Sequence, residues 1–72
     1  MPLVKRSLSL AGHRTSVSLE PEFWAEIDRA AAEQGDSLAG LVGAIDIARG
    51  EEPLASSLRV FVLKRLTKPA ED

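Results

Sequence analysis

Residues 14–19 alternate strictly between two kinds of side chain. Thr15, Val17 and Leu19 fall on one side of an extended chain, and Arg14, Ser16 and Ser18 on the other. Period 2 is the signature of a strand with one face buried. Residues 5–10 repeat the pattern less fully, with Leu8 and Leu10 set against Ser7 and Ser9. Gly12 lies between the two runs as a natural turn residue. Two arrangements satisfy this pattern: a hairpin closed within one chain, or a strand at 14–19 that pairs with its copy in a second chain.

From residue 20 the period changes to that of a helix. Pro21 suits a first helical position, where its missing N–H has no partner to lose. Glu20 and Glu22 complement the positive end of the helix dipole. Phe23, Trp24, Ile27, Ala30, Ala31 and Gln34 follow at helical spacing, and Gly35 supplies the left-handed cap. Ser37 is the expected N-cap of a second helix, whose stripe is Leu38, Leu41, Val42 and Ile45, widened by Ala44, Ile47 and Ala48. Gly40 and Gly43 weaken that helix by up to about 1 kcal/mol each, so they are expected where another backbone packs closely, as at a dimer interface. Gly50 ends it. A third helix is expected from Leu54 to about Leu66, with Ala55, Leu58, Phe61, Val62 and Leu66 on one stripe and Leu54, Val60 and Leu63 broadening it. A helix apolar over that much of its circumference asks for burial on more than one side. Residues 67–72 read as a tail.

Composition narrows the classes. The chain has 72 residues, no cysteine and one histidine, which leaves no disulfide, thiolate metal site or self-contained histidine metal centre. No cofactor or metal is expected. A chain this short reaches an adequate core most easily by oligomerising. No run approaches a membrane span or a signal peptide, so a cytoplasmic protein without membrane contact is expected. The net charge of −2 is unevenly spread. Residues 1–19 carry +3 from Lys5, Arg6 and Arg14. Residues 20–52 carry −7, with Arg29 and Arg49 against nine acids. Residues 53–72 carry +2, with Arg59, Lys64, Arg65 and Lys68 against Glu71 and Asp72. Such segregation can place opposite fields on opposite faces. No nucleophile motif or Gly-rich phosphate loop is present, and an enzyme is not expected.

Strand, helix, Gly-x-Ser turn, helix resembles the ribbon-helix-helix repressors, the Arc and methionine repressor class. The run that carries the likeness is "RTSVSLEPEFWAEIDRAAAEQGDSLAGLVGAIDIA", Arg14 to Ala48. Its flanks, "KRSLSLAGHRTSVSLEPEFW" and "SSLRVFVL", resemble a small bacterial subgroup with an N-terminal extension and an added C-terminal helix. The resemblance implies a mainly α fold with one short β-strand. Two chains would pair that strand into an intermolecular two-stranded antiparallel sheet. It also implies a division into a basic arm (1–13), a ribbon-helix-helix core (14–50), the extra helix (51–66) and the tail (67–72).

The resemblance further implies that the ribbon enters the DNA major groove. Arg14, Ser16 and Ser18 would then meet base edges. The second helix would hold a phosphate on the amides around Ser37 and Leu38. Lys5, Arg6 and His13 would touch the DNA backbone. The implied dimer core is Val17, Leu19, Trp24, Ile27, Leu41, Val42, Ile45, Leu58, Phe61 and Val62. The chemistry is compatible: arginine grips guanine O6 and N7 with its fork, serine both donates and accepts, and a helix start favours phosphate. Two of the three base-facing residues are nevertheless short, and Asp36 places a negative charge beside the phosphate site.

The function implied is a homodimeric, sequence-specific DNA-binding protein, a transcriptional repressor or other regulator. Two alternatives remain. One is a protein-interaction module on the same dimer scaffold, binding a partner through the acidic helices or the C-terminal helix. The other is an antitoxin-like repressor. Among single residues, Trp24 reads as core and His13 as a turn residue. Arg59 is expected to pair with an acid such as Asp46 or with the second chain. Lys64, Arg65 and Lys68 read as a solvated helix end that complements the dipole.

Overall fold

The computed structural model describes residues 2–68. It contains two strands and three helices: β1 (Val4–Leu10), β2 (His13–Leu19), α1 (Pro21–Gln34), α2 (Leu38–Ala48) and α3 (Leu54–Thr67). Of the expected tail, residues 69–72 lie outside the described residues.

The doubled phrase is a hairpin within one chain. β1 and β2 pair antiparallel from Val4↔Leu19 to Leu10↔His13, so the expected arm is a strand and the chain has two strands rather than one. The link is only Ala11 and Gly12, both at positive φ, 51° and 83°. Two positive φ values in a two-residue loop match the right-handed twist of the flanking strands. Closing so short a loop costs little chain entropy, so β1 reaches β2 before any more distant element does. The register also puts the apolar residues of both strands on one face. Leu8, Leu10, Val17 and Leu19 are all buried, whereas a one-residue slip would turn one strand's set to solvent.

The helices begin and end as their capping residues dictate. The Gly35 and Asp36 amides donate back to Ala32 and Ala31, closing α1 with a left-handed glycine at φ 68°. The Ser37 hydroxyl accepts the Gly40 amide at 2.9 Å, which opens α2. Apolar faces of all three helices meet the inner face of the hairpin. α2 packs against β1, α3 against β2, and α1 against both other helices. Trp24, Leu19, Ile27, Leu58 and Val42 form the fully buried centre.

Eight of the ten residues expected in a shared dimer core are already buried inside one chain, while Ile45 and Phe61 lie half-buried at its margin. The apolar surface that stays outside is a different set: Ile47 at 83% exposure, Val60, Leu63 and Leu66 on α3, and Leu3 and Val4 at the start of the hairpin. Gly40 meets the Asp36 carboxylate, which a β-carbon at that position would overlap. Arg59 pairs with Glu20 at 3.0 Å and stacks on Phe23, while Asp46 pairs with Arg49. Arg65 is no solvated end: it bridges Glu26 at 3.0 Å and Glu33 at 2.9 Å, tying α3 to α1. Its pairing holds the Glu33 carboxyl below the usual carboxylate range.

Candidate nucleic-acid interface

The hairpin has an inner face that is spent on the core and an outer face that is not. Because residues paired across an antiparallel ladder point to the same side, the register assigns the outer face directly. It consists of three cross-strand pairs: Lys5 with Ser18, Ser7 with Ser16, and Ser9 with Arg14. Five of the six are exposed and Ser18 is half-buried. The face has two cations, four hydroxyls and no acid, although the whole chain is net negative. Lys5 stands at the open end on β1 and Arg14 near the turn on β2, so the positive charges occupy opposite corners. The middle is flat and small, with the Ser7 and Ser16 hydroxyls 3.3 Å apart.

The expected base-contacting residues Arg14, Ser16 and Ser18 therefore share one face. Lys5 joins them there, as do Ser7 and Ser9, which the sequence reading missed. Their signal was present: Lys5, Ser7 and Ser9 alternate with Leu8 and Leu10 as Arg14, Ser16 and Ser18 alternate with Val17 and Leu19.

The other expected backbone contacts are placed differently. Arg6 lies on the inner side at the sheet margin. Its guanidinium grips both oxygens of Asp28, at 2.9 and 3.1 Å, and stacks 4.6 Å from the centre of the Trp24 ring. The Asp28 hydrogen bonds raise the Arg6 pKa further, so the charge is permanent and committed within the chain. His13 is exposed at the turn end of β2, opposite Leu10. At the start of α2, the Asp36 carboxylate accepts the Ser37 amide at 2.8 Å and Ser37 accepts that of Gly40. These bonds take the Ser37 and Gly40 amides and set the Asp36 charge beside them; neither takes the Leu38 amide.

The remaining edge of β2 has no strand beside it among the described residues. A groove of about 540 Å³ follows it, lined by His13 and Thr15 to Ser18, by Asp46 and Arg49 at the end of α2, and by Leu54 and Ala55 at the start of α3. No β1 residue except Leu10 reaches this groove. It therefore lies on the side of β2 away from β1, where a further strand would add. The α2 surface nearby is unusual for a water-facing helix. Of its eleven residues only Asp46 is charged, and Ala39, Ala44, Ile47 and Ala48 are exposed.

Among the described residues no group of acids and histidine is placed to hold a metal, and no helix is long and apolar enough to cross a membrane. Comparison with curated proteins and with solved structures finds no match. The ribbon-helix-helix domain profile matches residues 3–66. That span takes in the hairpin, all of α1 and α2 and nearly all of α3, and so the chain belongs to the ribbon-helix-helix domain family.

Proposed function

We propose that the protein is a homodimeric, sequence-specific DNA-binding protein that acts as a transcriptional regulator. The family's fold is of the DNA-binding, transcription-regulator type. The observation that carries the proposal is the outer face of the hairpin, acid-free and hydroxyl-rich with Lys5 and Arg14 at its corners. A cationic face on an acidic protein orients it toward a polyanion.

Two surfaces that a single chain leaves open support dimerisation. The bare edge of β2 offers unpaired amides and carbonyls, and proteins seldom leave such an edge uncovered. The exposed apolar residues of α2 ask for burial as well. A second copy adding its β2 antiparallel to the first supplies both. The two-fold axis is then perpendicular to the sheet and maps each face onto itself, so both outer faces point the same way. Arg14, Ser16 and Ser18 of each copy then lie side by side at the centre of the ribbon. Arginine there takes guanine bidentately, and the serines accept either base sense at close range. Lys5, on β1, lies farther out, toward the DNA backbone, while His13, opposite Leu10, belongs by register to the inner side at the turn.

The test is selection of bound sequences from a random duplex library, followed by a salt series on the selected site. A palindromic motif and affinity that falls steeply with salt are expected. Arg14→Ala should cost about 1–3 kcal/mol on that site and relax the preference at one base position in each half-site. Binding that is indifferent to salt and to Arg14 would dismiss the ribbon as a reading head.

One observation favours a second reading, a protein-interaction module. Val60, Val62, Leu63 and Leu66 of α3 with Phe23 of α1 line a largely apolar groove of about 340 Å³ that also includes Arg59. A stable complex with a cellular protein, lost on Leu63→Asp, together with no duplex binding at low salt, would decide for it.

A further inference from the structure

We infer that β1 is a phosphate-holding strand: Lys5, Ser7 and Ser9 rest on the DNA sugar-phosphate backbone just outside the groove that β2 reads. This rests on the DNA-binding proposal and adds to it a surface, a set of residues and a division of labour between the two strands.

The argument begins with sheet order. β1 occupies one edge of β2, so any pairing of β2 with a second copy leaves β1 outermost, in the order β1-β2-β2-β1. Strands in a sheet lie about 4.8 Å apart. The two central strands thus span about 5 Å between axes and the two outer ones about 14 Å. The major groove is about 12 Å wide and admits a two-stranded ribbon. The central β2 pair fits inside it, and the β1 strands fall on or beyond its walls, where the phosphates are. β1 shares its outer face with β2 through the pairs Lys5↔Ser18, Ser7↔Ser16 and Ser9↔Arg14, so its side chains point toward the same DNA.

Side-chain chemistry matches that position. Serine is short enough to let a strand lie close against a phosphate and still donate a hydroxyl to it. Lysine is a compact point charge suited to phosphate rather than to planar base edges. Longer side chains at 7 and 9 would lift the whole sheet and keep Ser16 and Ser18 from the bases. The short residues in the ribbon, a poor fit to deep reading from a distance, become the reason the sheet can settle. The same assignment answers where the phosphate contacts go. At the α2 start Asp36 takes the Ser37 amide and adds a negative charge, and Arg6 is held by Asp28 and Trp24. Lys5 and Ser9 carry no side-chain partner among the described residues.

The experiment uses full-length wild type, Lys5→Ala and the double variant Ser7→Asp/Ser9→Asp. Affinity is measured on the selected duplex and on an unrelated one over a salt series, with phosphate-ethylation interference on the selected duplex. Far-ultraviolet circular dichroism checks that these exposed substitutions leave the fold intact. Lys5→Ala should weaken both duplexes by the same factor and reduce the salt slope by about 2 per dimer, one contact from each chain. The double aspartate variant should lose at least tenfold on both. Ethylation should interfere at phosphates flanking the bases that Arg14 specifies, and Lys5→Ala should erase part of that pattern. If wild type binds its palindrome while both variants bind unchanged, β1 does not touch DNA and the inference fails with the ribbon proposal intact. The inference also fails if Lys5→Ala changes base preference, because β1 would then read sequence; position 9 faces Arg14 across the ladder, so the aspartate variant is read for affinity alone. If wild type binds no duplex, both proposals fall together.

Discussion

Trp24→Phe tests whether β1 is a part of each chain's own fold. Trp24 is 2% exposed and its indole N–H donates to the Val4 carbonyl at 2.7 Å, pinning the first residue of β1 to α1. Arg6, two residues along the same strand, stacks on the same ring. Phenylalanine keeps an aromatic ring and removes the donor. The lost hydrogen bond is worth about 1 kcal/mol. The smaller ring forfeits on the order of 40 Å² of buried surface, about 1 kcal/mol at 25 cal/mol per Å². The weaker stack under Arg6 adds about 0.5 kcal/mol. The sum is about 2–3 kcal/mol, against a total of about 4–11 kcal/mol for a domain of this length. With a urea slope of about 1 kcal/mol per molar, the unfolding midpoint should fall by about 2 M at fixed protein concentration. Circular dichroism follows unfolding without needing the indole, and amide exchange should show β1 losing protection before the centre of α1 does. A loss below about 1 kcal/mol, or β1 exchange identical to wild type, would refute the claim that Trp24 secures the strand.

Three further outcomes are expected. Ala11 sits at φ 51° in the hairpin link, a conformation that costs an L-residue with a β-carbon roughly 1 kcal/mol and suits asparagine better, so Ala11→Asn should raise stability by about 0.5–1 kcal/mol in the same urea titration. Glu33, paired with Arg65, and Glu20, held by its own backbone amide and then by Arg59, have lowered carboxyl pKa values in the fold. Their contribution is present above the unfolded-state pKa and is lost as pH falls through the folded one, so acid should destabilise the protein and Arg65→Gln should flatten that dependence on the acid side. Gly40→Ala should be near neutral alone and stabilising in an Asp36→Ala background, because the helix gains about 1 kcal/mol of propensity once the carboxylate is gone; equal effects in both backgrounds, read by thermal melts, would count against the Asp36 contact.

Much of the architecture was legible because it is locally encoded. Pro21, Gly35, Ser37 and Gly50 punctuate the helices through backbone preferences that need no partner, and the period change at residue 20 divides sheet from helix. The alternation of 14–19 identified the outer trio Arg14, Ser16 and Ser18 on the same grounds. Residues 5–10 were the least settled segment. Its alternation allowed a hairpin, but the resemblance to single-strand ribbons implied an arm, and the alternation did not show that His13 belongs to β2. Counting the loop as two residues would have paired Leu10 with His13 and put all four buried aliphatics on one face.

Charged partners were the least legible. Arg59 chose Glu20 over Asp46, Arg65 joined Glu26 and Glu33 from more than thirty residues away, and Arg6 went to Asp28. Nothing in a linear pattern ranks such pairs, because long flexible side chains meet whichever opposite charge the helix packing brings within reach. Local pattern was enough to locate most of the strands and helices, their apolar sides, and an acid-free polar strip before the first helix. It took the packed fold to show that two such strips form one face, that Arg6 is held by Asp28, that Asp36 bonds at the start of α2, and that β2 keeps one bare edge. Those are outcomes of distance between segments, and distance is set by how the apolar faces pack together.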